Sequence, residues 1–354
     1  MTRGARMLLA CCGLALAACK PVDKGPPPTS EAPPQPAPPP APTKVAQVLG
    51  FSSPESVLHD SLQDVYFVSS INGSGTVRDN NGFISRVKPD GAVENQKFIE
   101  GGKNGVTLNA PKGMALAGDT LWVTDIDAVR AFDARTGAPL DSISLATLIP
   151  PPVFLNDITA TPTGALYVTD TGIRFDDVGN VLHRGPDRIF RIGPDRVVTV
   201  ALRGDSLGWP NGIALDPVGR RFVIVQSGGK SVLAWKPEDR APSVIATGPG
   251  GFDGVAIAGG KILVSSWNDS TVSSYETGKE VRVISGVPGP ADIGYGMRST
   301  DAAAYPAEKD TLLRERVALT AAGSYSVPAS ISSRCSSVSA ATSSSVRSRA
   351  GMPV

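Results

Sequence analysis

Histidine and cysteine are scarce in this 354-residue chain, which has two of the first and four of the second. Cys11, Cys12 and Cys19 lie at one end of the sequence and Cys335 near the other, so no structural disulfide is expected even in an oxidising compartment. His59 stands in the turn-like string His59-Asp60-Ser61 and His183 beside Arg184-Gly185-Pro186. Both read as exposed loop residues, so histidine-based catalysis is not expected. Also missing are a Gly-x-Ser-x-Gly elbow, a phosphate-cradling glycine loop and a Cys-x-x-Cys pair, which removes the serine-hydrolase, kinase and thiol-redox classes. Charge of one sign is lacking too: 34 Lys+Arg against 33 Asp+Glu leaves +1, no electrostatic footprint for nucleic acid.

No apolar run is long enough to span a bilayer. Arg3 and Arg6 precede the apolar residues 7–18, the pattern of an export signal. This run ends in Leu16-Ala17-Ala18-Cys19 and resembles the bacterial lipoprotein signal. The resemblance implies that residues 1–18 are removed and that Cys19 is lipidated as the first mature residue. Each buried acyl methylene would add about 0.8 kcal/mol to the membrane hold. Lys20, rather than Asp, follows the lipid position, which by the same resemblance favours the outer membrane, facing the periplasm. Residues 19–44 contain Pro26-Pro27-Pro28 and Pro38-Pro39-Pro40 and read as an extended tether.

Residues 45–300 repeat one unit six times. The openings are Pro54-Glu55-Ser56-Val57, Pro111-Lys112-Gly113-Met114, Leu155-Asn156-Asp157-Ile158, Pro210-Asn211-Gly212-Ile213, Phe252-Asp253-Gly254-Val255 and Pro290-Ala291-Asp292-Ile293. Their spacing runs from 57 residues (Glu55 to Lys112) down to 38 (Asp253 to Ala291), the range of a four-stranded blade with variable loops. Second strands such as Leu121-Trp122-Val123-Thr124 and Phe222-Val223-Ile224-Val225 are β-branched and aromatic. A β-sandwich is the competing all-β architecture, but it does not make one opening recur six times. The expected fold is an all-β, six-bladed β-propeller, one domain over residues 45–300.

A propeller aims the first strand of every blade at the central axis, so one fixed place per repeat builds a ring: Glu55, Lys112, Asn156, Asn211, Asp253 and Ala291. Converging carboxylate and amide oxygens suit a hard divalent cation, calcium first, then magnesium, with zinc less suited. A cation there would polarise a carbonyl or phosphoryl oxygen, and Asp253 would steer or deprotonate the attacking water, so the expected chemistry is hydrolysis. Asn, Asp and Gly are also turn formers, and any one of these places alone would be structural. Four oxygen-bearing residues at equivalent places argue for a site. Residues 172–187, long for a hairpin, are expected to form a lid or side wall at the mouth, or a solvated loop.

The strings Pro54-Glu55-Ser56-Val57, Asn156-Asp157, Pro210-Asn211-Gly212-Ile213-Ala214 and Asp253-Gly254-Val255-Ala256 resemble blade openings of the gluconolactonase, senescence-marker-protein (regucalcin) and luciferin-regenerating-enzyme family over residues 50–296. The resemblance implies that Glu55, Asn211 and Asp253 bind one divalent metal, that Asp253 is the general base, and that Asn156 contacts substrate or the metal's water shell. It implies a lactone or ester substrate. Regucalcin carries an Arg two places before that earlier Asn, where this chain has Phe154. Lys112 faces the same ring, and its cation either replaces that Arg toward substrate or repels the metal. The competing reading is a non-catalytic propeller of the NHL-repeat type that binds a protein or glycan. A lyase resembling streptogramin-inactivating propellers fits less well, because their catalytic His context is missing. The chain is read as a monomer.

The sixth unit opens properly but does not continue. Residues 297–309 are poor in strand formers, residues 311–321 are compatible with a short helix, and the remainder is Ser-rich. Related propellers close the ring against an N-terminal strand, expected here at residues 45–50. The expectation is an incomplete sixth blade caused by a change of reading frame near Gly296, with residues 301–354 an atypical tail. A functional disordered tail is the alternative.

Overall fold

The structure, a computed structural model, describes residues 47–176, 180–258, 260–276, 279–296 and 316–321. The expected signal segment, Cys19, the tether and the Ser-rich tail lie outside the described residues. The first blade is Pro54–Asp60, Val65–Ser70, Phe83–Val87 and Val93–Glu100, antiparallel in that order. Four more four-stranded blades follow, opening with Pro111–Ala117, Leu155–Ala160, Pro210–Asp216 and Phe252–Ala258. The third also carries a hairpin, Ile173–Phe175 with Val181–His183.

At the sixth position two strands are described, Pro290–Gly296 and Arg316–Ala321. Among the described residues the protein is thus an all-β propeller with five four-stranded blades and a two-stranded sheet at the sixth position, where a sixth, incomplete blade was expected. The helical reading of residues 311–321 fails over Arg316–Ala321, because the edge of Pro290–Gly296 offers that segment an antiparallel partner, and tertiary pairing overrides a weak local preference. Residues 47–50 form no strand; Val48 and Phe51 instead pack on the cluster of Val57, Tyr66, Val68 and Val87.

The first strands touch one another in a closed circuit, Pro290–Gly296 returning onto Pro54–Asp60. The core is laminated between blades. Phe67 and Ile84 of blade one meet Met114, Leu121 and Phe132 of blade two. Tyr167 and Ile189 of blade three meet Ile213, Phe222 and Trp235 of blade four. Each such large side chain contributes roughly 1.5–3 kcal/mol by leaving water, and it does so only when two blades stack.

Every first strand contains a bulge at the same place. Pro54 pairs with Ser70 and Val57 with Val68, so three steps on the inner strand answer two on its neighbour. The same slip occurs at Pro111/Met114, Leu155/Ile158, Pro210/Ile213, Phe252/Val255 and Pro290/Ile293. A bulge breaks the two-residue alternation and re-aims side chains. Here it brings both successive residues to the axial cavity at Asn156-Asp157 and Asn211-Gly212, and one of the two at the other openings.

In four blades a hydroxyl on the second strand sits across from the bulge and bridges to the next blade. Ser69 accepts from the Ser56 N–H (3.0 Å) and donates to the Lys112 carbonyl (2.8 Å). Thr169 accepts from the Asp157 N–H (2.9 Å) and donates to the Asn211 carbonyl (2.7 Å). Ser265 joins the Gly254 N–H (2.8 Å) to the Ala291 carbonyl (2.7 Å). Thr124 donates to the Asn156 carbonyl at 2.5 Å. The acceptors belong to the ring residues, so these bonds fix the ring's geometry as well as the blade spacing. Blade four has Val225 at this place and no such bridge.

Candidate active site at the propeller axis

The bulged pairs surround a small cavity lined by Glu55, Gly113, Asn156, Asp157, Asn211, Gly212, Asp253 and Asp292. Its usable volume is about 10 Å³, room for about one water-sized occupant. Glu55, Asn156, Asn211 and Asp253 of the expected ring therefore come together. Ala291 is fully buried and does not reach the cavity.

Lys112 does not line the cavity either. Its side chain is completely buried, its Nζ donates to the Ala110 carbonyl (3.1 Å), and the ammonium lies 4.2 Å from the centre of the Phe154 ring. Phe154, at the place where regucalcin carries Arg, thus roofs the lysine. Burial depresses the Lys112 ammonium to about 8 against the opposing pull of Asp125 and Glu55.

Asp157 and Asp292 were not singled out by the sequence, yet both line the cavity. Each is the residue after a ring position, in the series Ser56, Gly113, Asp157, Gly212, Gly254 and Asp292. Period-two alternation turns this series away from the axis, and the bulge turns it back. The glycines in it are steric requirements: a Cβ on Gly113 would collide with the Asp157 carboxylate, and one on Gly212 would stand 2.6 Å from the Asp253 carbonyl. The repeat itself carried the signal, since two of six places are Asp and three are Gly.

Hydrogen bonds hold these side chains. Asn156 Nδ2 donates to Thr171 Oγ1 (3.0 Å), which keeps the amide oxygen as the free acceptor. Asp157 accepts from the N–H groups of Ile158 and Ile213, both at 2.7 Å. Asp292 accepts from Ser56 Oγ (2.5 Å) and from its neighbour's N–H in Ile293 (2.7 Å). Asp253 Oδ2 accepts from Trp267 Nε1 at 2.9 Å.

Four carboxyl groups at one buried site cannot all ionise easily. Burial pushes Glu55 up to about 7, with Lys112 opposing and Asp292 adding to the rise. Asp292 rises to about 6, again through burial, against its bond from Ser56. Asp157 and Asp253 lie well above the usual carboxylate range, through burial first and neighbouring carboxylates second.

The donor set fits a hard cation. It is all oxygen, and the Asn211 side-chain amide, 8% exposed, has no hydrogen-bond partner among the described residues. No group of three or more His, Cys, Asp or Glu among the described residues stands ready to hold a metal. A Glu, Asn and Asp set is of another kind, with two carboxylates and one amide.

His59 departs from the exposed loop position expected, whereas His183 is exposed as expected but sits in a short strand. His59 is a strand residue whose side chain is 3% exposed, bonded to Asp64 (3.2 Å) and packed on Tyr66. It belongs to the end of its strand away from the ring. His183 lies in the extra hairpin, 2.7 Å from Asp187 and stacked on Trp209 with centroids 5.0 Å apart. Connections between second and third strands start beside the ring, as Leu155 pairing with Asp170 shows, so this hairpin stands on the mouth face. Phe175 packs edge-on against Phe154 and ties the hairpin to the roof over Lys112.

The profile of the SMP-30/Gluconolactonase/LRE-like region matches residues 57–293. Solved structures with the same fold include a gluconolactonase of Xanthomonas campestris, 18% identical, TM-score 0.53, over 77% of this chain and 84% of that one. A gluconolactonase candidate gives 18% identity and TM-score 0.53 over 69% and 81%. A nidogen/laminin complex gives 20% and 0.50 over 64% and 78%. No curated protein matches the chain.

Proposed function

The chain belongs to the SMP-30/gluconolactonase/LRE-like family, and on that premise we propose that it is a divalent-cation-dependent hydrolase of lactones or related esters. The observation that carries this reading is the convergence of Glu55, Asn156, Asn211 and Asp253 on one buried cavity. Glu55, Asn211 and Asp253 would hold the cation, calcium first, with magnesium and zinc as alternatives. A cation bound there supplies Lewis-acid polarisation of a carbonyl oxygen.

The chain's own groups do the rest. Asp253, whose proton affinity burial raises well above that of an ordinary carboxylate, takes a proton from the attacking water. The water oxygen bonds to the carbonyl carbon, the carbon–oxygen bond of the ester breaks, and Asp253 returns its proton to the departing oxygen. In a lactone both products remain one hydroxy acid. Asn156, with its amide nitrogen committed to Thr171, offers its oxygen to a substrate hydroxyl. Lys112 serves substrate only if its roof of Phe154 moves.

The setting we propose is the bacterial cell envelope, with a lipid on Cys19, residues 20–44 as tether, and the propeller in the periplasm as a monomer on the outer membrane. The sixth blade is proposed to be completed by chain beyond Gly296 in an unshifted reading frame. The narrowness of the cavity favours one second reading, a scaffold that presents the mouth to a protein or glycan. Turnover of δ-gluconolactone and phenyl acetate with calcium, lost in chelator and in Asp253→Asn, is the expected result. No turnover of any lactone or ester by folded, calcium-loaded protein would favour the scaffold.

A further inference from the structure

We propose that Trp267 is the positioning residue for Asp253, holding its carboxylate in the orientation that cation binding and proton transfer require. The inference rests on the role of Asp253 given above. Its ground is the bond from Trp267 Nε1 to Asp253 Oδ2, 2.9 Å long. An indole N–H can donate but never accept, so the bond always runs toward the carboxylate and anchors Asp253 by its Oδ2. The single acceptor of this half-buried indole is thus a carboxylate that lines the cavity.

The indole is itself held by a built turn. Trp267 directly follows the second strand of blade five, Lys261–Ser266, and Ser266 pairs with Phe252, the residue before Asp253. Three bonds tie this end to the segment leading into Asp253. Ser266 Oγ donates to the Gly250 carbonyl (2.8 Å), the Trp267 N–H to the Gly251 carbonyl (2.9 Å), and Asn268 Nδ2 to the Pro249 carbonyl (3.0 Å). Gly250 and Gly251 adopt φ of 88° and 59°, which favour glycine. A Cβ on Gly251 would also stand 2.5 Å from Asn268 Oδ1. The string Pro249-Gly250-Gly251-Phe252-Asp253 therefore fixes both partners of the bond at once. A donor that served packing alone could end on any carbonyl; this one ends on the proposed base.

Trp267→Phe keeps an aromatic ring and removes the donor. Three readouts on the full chain decide the matter: the melting temperature, calcium affinity by calorimetry, and kcat and KM with δ-gluconolactone and phenyl acetate. Outer-sphere partners of metal ligands are typically worth about 10–100-fold. The expected result is a loss of that size in calcium affinity or in kcat, with KM within about twofold and the melting temperature unchanged, a split that lost packing would not give. Asn268→Ala, which loosens the turn without touching the indole, should give a smaller loss in the same readouts. Trp267→Phe with the calcium affinity and kcat of the unaltered chain would overturn the proposal. If the unaltered chain binds calcium and hydrolyses neither probe, while Trp267→Phe binds calcium more weakly, the hydrolase reading falls and the positioning role stands. If the unaltered chain neither binds calcium nor hydrolyses the probes, both fall.

Discussion

Asp292→Asn should stabilise this protein, and only above a defined pH. Asp292 lines the cavity with its oxygens bonded to Ser56 Oγ and the Ile293 N–H, and burial raises it from 3.8 to about 6. A carboxyl raised in the folded state is favoured there in its neutral form. Its contribution to stability is complete below about pH 4 and is lost as pH rises through about 6. The rise is about two units, which at 1.36 kcal/mol each gives about 3 kcal/mol, a ceiling because water in the cavity screens the charge. Asn carries no such charge. In chelator, the variant should match the unaltered chain at pH 4 and exceed it by up to about 3 kcal/mol at pH 8. Asp292 also helps to raise Glu55, Asp157 and Asp253, so its removal eases them in the same direction. Urea unfolding at pH 4, 6 and 8, followed by tryptophan fluorescence, measures this. A destabilisation equal at all three pH values would refute the reasoning. A charge retained against stability is the pattern expected of a functional site.

The remaining predictions concern the bridges and the cation. Thr169→Val strips the partners from the buried Asp157 N–H and Asn211 carbonyl, and should cost about 1–3 kcal/mol in urea unfolding; no change would show that the bridge is not holding the blades. Val225→Thr places a hydroxyl at the corresponding spot of blade four and should gain about 1 kcal/mol, whereas destabilisation would mean that this interface differs from the others. Calcium at 100 times its dissociation constant should raise stability by about 2.7 kcal/mol at neutral pH, and Glu55→Gln should abolish that increment; an unchanged increment would remove Glu55 from the binding set.

Much of the fold was written in the six openings, because a blade repeats its strand starts at fixed places whatever its loops do. Glu55, Asn156, Asn211 and Asp253 could be read from the same repetition. Asp157 and Asp292 could not be read from alternation, since the bulge that turns them inward arises from pairing with a neighbouring strand. Lys112 shared the ring position, but its long side chain folded back under Phe154, a contact between blades two and three that no local pattern announces. Thr169 and Ser265 looked like ordinary strand residues, and only the stacking of blades gave their hydroxyls a partner. The strand Arg316–Ala321 was misread for a related reason: its pairing edge lies 20 residues back in the chain, at Gly296.

Titration of the chain with calcium in a calorimeter, beside Glu55→Gln and Asp253→Asn, tests the oxygen ring most directly. Saturable binding by the unaltered chain, lost in both folded variants, is the predicted result. Absence of binding by the unaltered folded chain, or binding undiminished in both variants, would contradict a cation site at the propeller axis.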